Sequence, residues 1–576
     1  MSQIATDSKT IQHDSLAIIP LGGQGELGQL LWIFMYAGQI MLVDAGAAYP
    51  SRYLPGVDLL LPNTNFLEAN QEKIKALILT NGHEEHSGAV SYLLRHLKIP
   101  KILAPKFVSQ LLSQSVVGAT DSDSPLDVAS FIDTIEFGKQ YGIGPFEVEW
   151  LPVNNAIADA SGLKIETPCG TVIYTSSFKL DQTPVDDHNL DIHGFARAGD
   201  KGVTLLISDS AGVEYEGYTP SEASIQSNLE SAVSSAEGRV FVVFPGTNTH
   251  RLQLFFDIAE STGRKVVLTG DSLLKTALSA AVTGNLKYKR ELEASLDDLD
   301  KLADESVMVI LSGIEDDPLN VLNDLAFGEN ADVRLKEGDS LIYSGPIMPG
   351  KTRFLANILD QLLSLGVTII HGYKQGLHVS KHASREELKL MLSLTKPRYF
   401  LPSIGEGRHI MHHAALAIEW GMGTDSVFPI NNGEVLEIKN GIASLAGSVE
   451  AEAVLFNRLQ GERVTTFSVK ERKSLSHEGV VTVSVLLDEE RKMVGRPGIT
   501  AGAAGFLLTD DWKSVSAQIE AQVEEIVENY RTGKKVPSIG EIKNAIRENV
   551  SRTIRGNLQS KPTIHAVVHE VSTSRH

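Results

Sequence analysis

The stretch Ile78-Leu-Thr-Asn-Gly-His-Glu-Glu-His-Ser-Gly88 constrains the chain more than any other. The apolar run Ala76 to Leu79 predicts a short buried strand that stops at Thr80-Asn81-Gly82, with an amphipathic helix starting near Ser87. His83, Glu85 and His86 then crowd a strand-to-helix loop. Side chains on such a loop converge on the space beyond the strand end, a usual ligand position in α/β sheets. Imidazole and carboxylate are competent zinc ligands, but the same residues also suit a polar loop capping the following helix. The two histidines are three apart rather than four, which excludes the helical H-E-x-x-H arrangement. Two imidazoles and one carboxylate make half a metal site, so the question is whether other segments complete it.

The strand-then-polar-loop rhythm recurs. Strands are expected at Leu16 to Leu21, at Gln39 to Val43 before Asp44, and at Phe146 to Val153 before Asn154-Asn155. Two more are expected at Thr171 to Thr175 before Ser176-Ser177, and at Val203 to Ile207 before Ser208-Asp209-Ser210. Helices at Ala89 to His96 and Lys106 to Ser115 make the pattern α/β. Gly23, Gly25 and Gly28 spell GxGxxG, yet Leu30 to Met35 reads as a strand rather than a helix, so the stretch reads as a tight turn. Asp44 reads equally well as a carboxylate supporting a ligand and as a turn cap.

A second α/β block runs from about Asp209 to Gly366, with strands at Val240 to Phe244, Val266 to Leu268, Val307 to Leu311 and Ser340 to Tyr343. The strand Thr368 to Ile370 precedes a His-rich loop, Leu377 to Ala383, and a helix from Ser384 with Glu387 completing a capping box. His378, Ser380 and His382 in that loop suit a phosphate pocket at a helix start, or a cap with two solvated histidines. His250-Arg251 could bind or stabilise an anion, though such a lone pair is usually on the surface, and His409, His412 and His413 read as a solvated helix face. Residues 1–14 read as a frayed terminus, and 438–477 as irregular strands and a linker. From Val480 follow two strands, two helices (about 512–531 and 539–557) and a last strand, Ile564 to Val571.

The formal charge is −20, from 52 Lys and Arg against 72 Asp and Glu. Such a chain does not attract nucleic acid globally, so RNA binding needs a local basic channel, and no DNA partner is expected. One cysteine, Cys169, excludes an intrachain disulfide and suits a reducing compartment. The absence of an apolar run of about 18 residues argues against a membrane span. The expected location is the cytoplasm.

Taken together these loops resemble ribonuclease J, a metallo-β-lactamase-fold nuclease with an inserted β-CASP domain. The likeness rests on Pro20-Leu-Gly-Gly23, Leu42-Val-Asp-Ala-Gly46, Phe178-Lys179 with Thr183-Pro-Val-Asp186, Ser208-Asp-Ser210, Tyr218-Thr-Pro-Ser-Glu222, His378-Val-Ser-Lys-His-Ala-Ser384 and Gly407-Arg-His409. It implies an αββα sandwich split by the insertion: residues 1–208, then a β-CASP-like domain at 209–366, then 367–446. A linker at 447–477 and a C-terminal α+β domain at 478–576 would follow.

The resemblance also implies two metal ions held by H-x-H-x-D-H, a later His, a bridging Asp and a last His. The corresponding positions here carry Asn81, His83, Glu85, His86, Asn155, Ser177 and Ile404. Two keep the residue, one keeps only its chemistry, and the bridging carboxylate is gone. Asn and Ser are poor neutral donors for zinc. No tight dinuclear site is therefore expected, with zinc, manganese or magnesium binding only if His83, Glu85 and His86 suffice. Asp209, His250 and His382 stand as residual catalytic candidates, and Ser344, Gly345, His378, Ser380, Lys381 and His382 as phosphate contacts. The expected function is an inactive RNA-binding or scaffolding subunit, as a homo-oligomer or paired with an active relative. The competing expectations are a nuclease with a single-metal site and a purely structural interaction protein.

Overall fold

The computed structural model describes residues 14–571 apart from 51–53, 115, 118–125, 313–317, 347–350, 373–374, 459, 491, 502–510 and 533–537. The terminus expected to fray lies almost wholly outside the described residues. The chain divides into two compact units, one of residues 1–49 and 60–454, the other of 50–59 and 455–576.

Two mixed sheets face each other in the first unit. One has eight strands in the order Ile132–Thr134, Ile102–Ala104, Ile74–Ile78, Gln39–Val43, Leu31–Tyr36, Leu16–Gly22, Glu434–Lys439, Ile442–Ser448. The other has six: Gln140–Ile143, Phe146–Pro152, Ser161–Thr167, Gly170–Tyr174, Leu205–Asp209, Tyr399–Ser403. Their inner faces share one apolar core, with Trp32, Phe34 and Val43 from the first sheet against Trp150, Leu163 and Ile207 from the second. On the outer face of the six-stranded sheet, Ile173, Leu206 and Phe400 pack with Phe195, Met391 and Ala414 from the helices Ile192–Lys201, Arg385–Thr395 and Gly407–Glu419. This is the α/β sandwich expected from the sequence. The glycine-rich stretch connects the antiparallel strands Leu16–Gly22 and Leu31–Tyr36, but it is more than the tight turn expected: Gln24–Gly25 pair in parallel with Gly405–Glu406.

The inserted block is a five-stranded sheet ordered Lys265–Thr269, Val307–Leu311, Val240–Val243, Ser340–Tyr343, Thr368–His371, with every pairing parallel. Its three central strands are buried along their whole length, which explains why they read as continuous apolar runs rather than alternating ones. The second unit contains the three-stranded sheet Gly498–Ala501, Val480–Leu487, Thr563–Glu570. Helices Trp512–Thr532 and Ile539–Leu558 share one core with it, through Ile519, Val523, Ile546 and Val550.

Two other expectations need correction. The chain turns helical at Glu84–Ser87, three residues early, breaks at Gly88-Ala89 and resumes at Val90–His96. Residues 438–477 hold the short strands expected, Ile442–Ser448, Val454–Asn457 and Glu462–Arg463, but in place of the linker a helix of 13 residues spans Thr466–Glu478, capped by the Thr465 hydroxyl accepting from the Ser468 amide at 3.1 Å. Its one buried residue is Val469. With so little apolar periodicity, no amphipathic stripe announces it.

Candidate functional site

Strand register gathers the polar loops. Val43 lies opposite Ile78, Tyr174 opposite Ile207, and Asp209 opposite Ser403. Asp44, Thr80 to His86, Ser176-Ser177, Asp209 and Ile404 thus emerge at neighbouring strand ends. Asp44, Ser176 and Ile404 adopt left-handed φ values of 59°, 57° and 55°. That conformation is rare for any non-glycine residue, and rarest for a β-branched one like Ile404. Each such residue costs about 1–3 kcal/mol, a strain that folds concentrate at functional sites.

Asp44 resolves its two readings: it is fully buried and organises the site. Its Oδ1 accepts from the Thr80 amide at 2.9 Å. Its Oδ2 lies 2.8 Å from His86 Nδ1 and accepts from the Tyr174 hydroxyl at 3.1 Å. On the other side of the ring, His86 Nε2 meets Ser177 Oγ at 2.9 Å and Glu85 Oε1 at 3.4 Å. Burial pushes the His86 imidazole down, but Asp44 and Glu85 outweigh it and raise the pKa to about 9. His86 is therefore protonated at neutral pH, donating from both nitrogens.

His83 sits in the same buried cluster, with Nδ1 2.9 Å from Thr247 Oγ1 and Nε2 3.0 Å from Asn155 Oδ1. Burial, helped by the nearby Lys381 charge, holds it well below its usual range, so it is neutral. Asn81 Oδ1 accepts from the His83 amide at 3.0 Å, and Asn155 Nδ2 donates to the Ser177 carbonyl at 2.8 Å. Glu85 Oε1 receives Lys381 Nζ at 2.7 Å and Ser177 Oγ at 3.3 Å. Burial pushes that carboxyl up, yet Lys381 and His86 hold it well below the usual carboxylate range. Ile404 turns its side chain into the apolar core between the sheets.

The His-rich loop borders this cluster. His382 Nδ1 lies 2.7 Å from Asp209 Oδ2, and Ser380 Oγ accepts from the His382 amide at 3.1 Å. His378 is held from behind by Arg251, whose Nη1 donates to its Nδ1 at 2.9 Å. Arginine only donates, so the His378 ring proton is on Nε2. Burial and Arg251 lower the His378 pKa to about 3. The expected capping box is present, the Glu387 carboxylate accepting from the Ser384 amide at 2.7 Å. Ser344 is fully buried, its hydroxyl donating to the Leu377 carbonyl at 2.5 Å, and Gly345 follows it. Lys381 and Ser344, expected to face a phosphate, are thus engaged with Glu85 and Leu377.

Three histidine readings change. His250 and Arg251 are buried in the first turn of the helix Thr249–Thr262, not on the surface. His250 pairs with Asp186 at 3.3 Å and stands apart from the hydrogen bonds around Glu85 and Ser177. Although burial raises the Asp186 carboxyl, His250 lowers it to about 2. Of the trio on the helix Gly407–Glu419, only His412 is exposed, while His409 and His413 are buried. Thr247, Tyr174 and Asp186 escaped the sequence reading as site residues. Each lies just beyond or within an apolar strand or in a loop, where only the tertiary partner reveals its part.

The chain matches three family descriptions: "Ribonuclease J, beta-CASP domain" over residues 237–362, "Zn-dependent metallo-hydrolase RNA specificity domain" over 366–427, and "Ribonuclease J C-terminal domain" over 467–571. It is 32% identical to the Ribonuclease J of Synechocystis, over 97% of this chain and 87% of the relative. It is 30% identical to the Ribonuclease J2 of Bacillus subtilis, over 97% and 99%. A crystal structure of a protein of unknown function from Enterococcus faecalis superposes with a TM-score of 0.51 at 16% identity, covering 75% of this chain and all of that one, a likeness of fold. No described helix is long and apolar enough to cross a membrane.

Proposed function

The chain belongs to the ribonuclease J family, and from that premise we propose that it is a non-hydrolytic member that binds RNA or scaffolds an RNA-processing assembly. The observation carrying this reading is the donor set at the strand ends. The family descriptions include a zinc-dependent one, and two-metal phosphodiester hydrolysis needs ions that generate hydroxide and neutralise the oxyanion. The residues here do not fit that demand. Both His86 ring nitrogens already have partners, Asp44 on Nδ1 and Ser177 on Nε2. Glu85 is bonded to an ammonium, Asn155 and Ser177 are neutral, and Ile404 is apolar. Among the described residues no three His, Cys, Asp or Glu side chains converge as a metal-binding group.

The loop before the helix Arg385–Thr395 suits an anion. His382 and Ser380 lie on it, just ahead of the helix start. These groups recognise a phosphate by hydrogen bonding and helix polarity. Catalytic silence also suits a subunit that works as a homo-oligomer or beside an active relative.

A second reading, a nuclease, draws on the Asp209–His382 pair, whose 2.7 Å contact fits an oriented acid-base histidine. The relatives' names favour it too. One assay separates the two: 5′-mono- and triphosphorylated RNA incubated with the purified chain and zinc, manganese or magnesium. The expected result is no decay above that of the His83→Ala/His86→Ala variant, with RNA retained in a binding assay. Metal-dependent decay lost in that variant sinks the proposal, and decay lost only in His382→Ala favours the second reading.

A further inference from the structure

Lys381 lies on the loop that follows the strand Thr368–His371 and precedes the helix Arg385–Thr395. Glu85 lies on the turn Glu84–Ser87, after the strand Ile74–Ile78 of the eight-stranded sheet. The two are 296 residues apart in sequence, yet Nζ and Oε1 are 2.7 Å apart. Both side chains are largely withdrawn from water, at 26% and 16% exposure. Glu85 Oε1 also receives Ser177 Oγ and faces His86 Nε2. One carboxylate oxygen thus meets two neutral or cationic donors and a full ammonium charge. A divalent ion would have to displace that ammonium to use Oε1 of Glu85.

The rest of the loop is held from its far side. His378 accepts from Arg251, the Leu377 carbonyl accepts from Ser344, and the His382 carbonyl accepts from the Thr219 hydroxyl at 2.8 Å. Lys381 is the residue of the loop that crosses to the Glu84–Ser87 turn.

We propose that Lys381 is a resident cation that supplies the counter-charge of a metal at Glu85, keeps divalent ions off that carboxylate, and fastens the 377–384 loop to the Glu84–Ser87 turn. This rests on the reading of the site as lacking a metal pair. A lysine ammonium suits the role because it is a compact point charge with three donors on a flexible stem. It delivers one positive charge without ligand geometry and without loss to chelators.

The test is zinc titration of the full-length chain, by calorimetry and by thermal melting, on wild type, Lys381→Met and Lys381→Arg. Lys381→Met should bind zinc about tenfold more tightly than wild type or better, and zinc should raise its melting temperature. Lys381→Arg should behave as wild type. Equal zinc affinity in wild type and Lys381→Met overturns the proposal, as does tight stoichiometric zinc in wild type. If Lys381→Met alone fails to fold, Lys381→Met/Glu85→Gln should fold, since the neutral amide no longer needs a counter-charge. Failure of the double variant to fold also overturns it. Metal-dependent nuclease activity in wild type would refute the underlying reading. Unchanged zinc affinity in an inactive chain would refute this proposal alone.

Discussion

At the scale of single residues, His86 gives the sharpest consequence of the rebuilt site. Its imidazole is wholly buried between Asp44 and Glu85, and its pKa stands near 9 rather than the ordinary 6.5. A folded-state pKa above the unfolded one means that folding takes up a proton between those values. The stabilisation is complete below about pH 6.5 and is lost as the pH rises through about 9. Its size is on the order of 3 kcal/mol, since one pKa unit corresponds to about 1.4 kcal/mol. Melting temperature should therefore fall between pH 7 and 9.5. His86→Gln, which keeps an N–H donor but does not titrate, should melt lower at pH 7 and stay flat over that range. A parallel decline in wild type and variant would assign the alkaline loss to other groups.

At the scale of elements, one buried ion pair ties three segments together. Arg251, in the first turn of the helix Thr249–Thr262, donates to Glu222 Oε1 at 2.9 Å and Oε2 at 2.8 Å, and to the Ser344 carbonyl at 2.6 Å. Both partners are almost fully enclosed. Removing one partner of a buried pair leaves an uncompensated charge and costs about 3–5 kcal/mol. Arg251→Met should therefore melt well below wild type, and Arg251→Met/Glu222→Gln should recover part of the loss. Arg251→Lys should rescue poorly, because an ammonium cannot reproduce the planar fork. Chemical denaturation of the four proteins checks this, and a double variant no more stable than Arg251→Met would sink it. The same pair shows what was legible in the sequence. The strand Val240–Val243 could be read because burial on both faces writes an unbroken apolar run. The burial of Arg251 could not, because its partners lie 29 and 93 residues away. That Asn155, Ser177 and Ile404 stand where the family holds metal ligands is an expectation from the resemblance alone. The bond from Lys381 to Glu85 was not legible, since nothing local distinguishes it from a solvated lysine. The helix Thr466–Glu478 escaped for the opposite reason, burying too little to leave a stripe.

At the scale of the whole molecule, the net charge of −20 decides how RNA can be held. A chain of this sign repels a polyanion at long range, so any attraction comes from a local pocket. At the candidate site much of the positive charge is already neutralised: Lys381 faces Glu85 and Arg251 faces Glu222. Few phosphates can then exchange their counterions for protein charge. For a single strand, the slope of log affinity against log salt is about −0.7 per phosphate neutralised. With roughly one to three phosphates engaged, the slope should lie between about −1 and −2. Ser380→Ala should weaken binding with little change of slope, because the Ser380 hydroxyl, which accepts from the His382 amide, can offer a phosphate a hydrogen bond but no charge. Affinities measured by filter binding or anisotropy across a salt series decide the matter. A slope steeper than about −5 would require an extended basic channel and would transfer the RNA site from this pocket to another face.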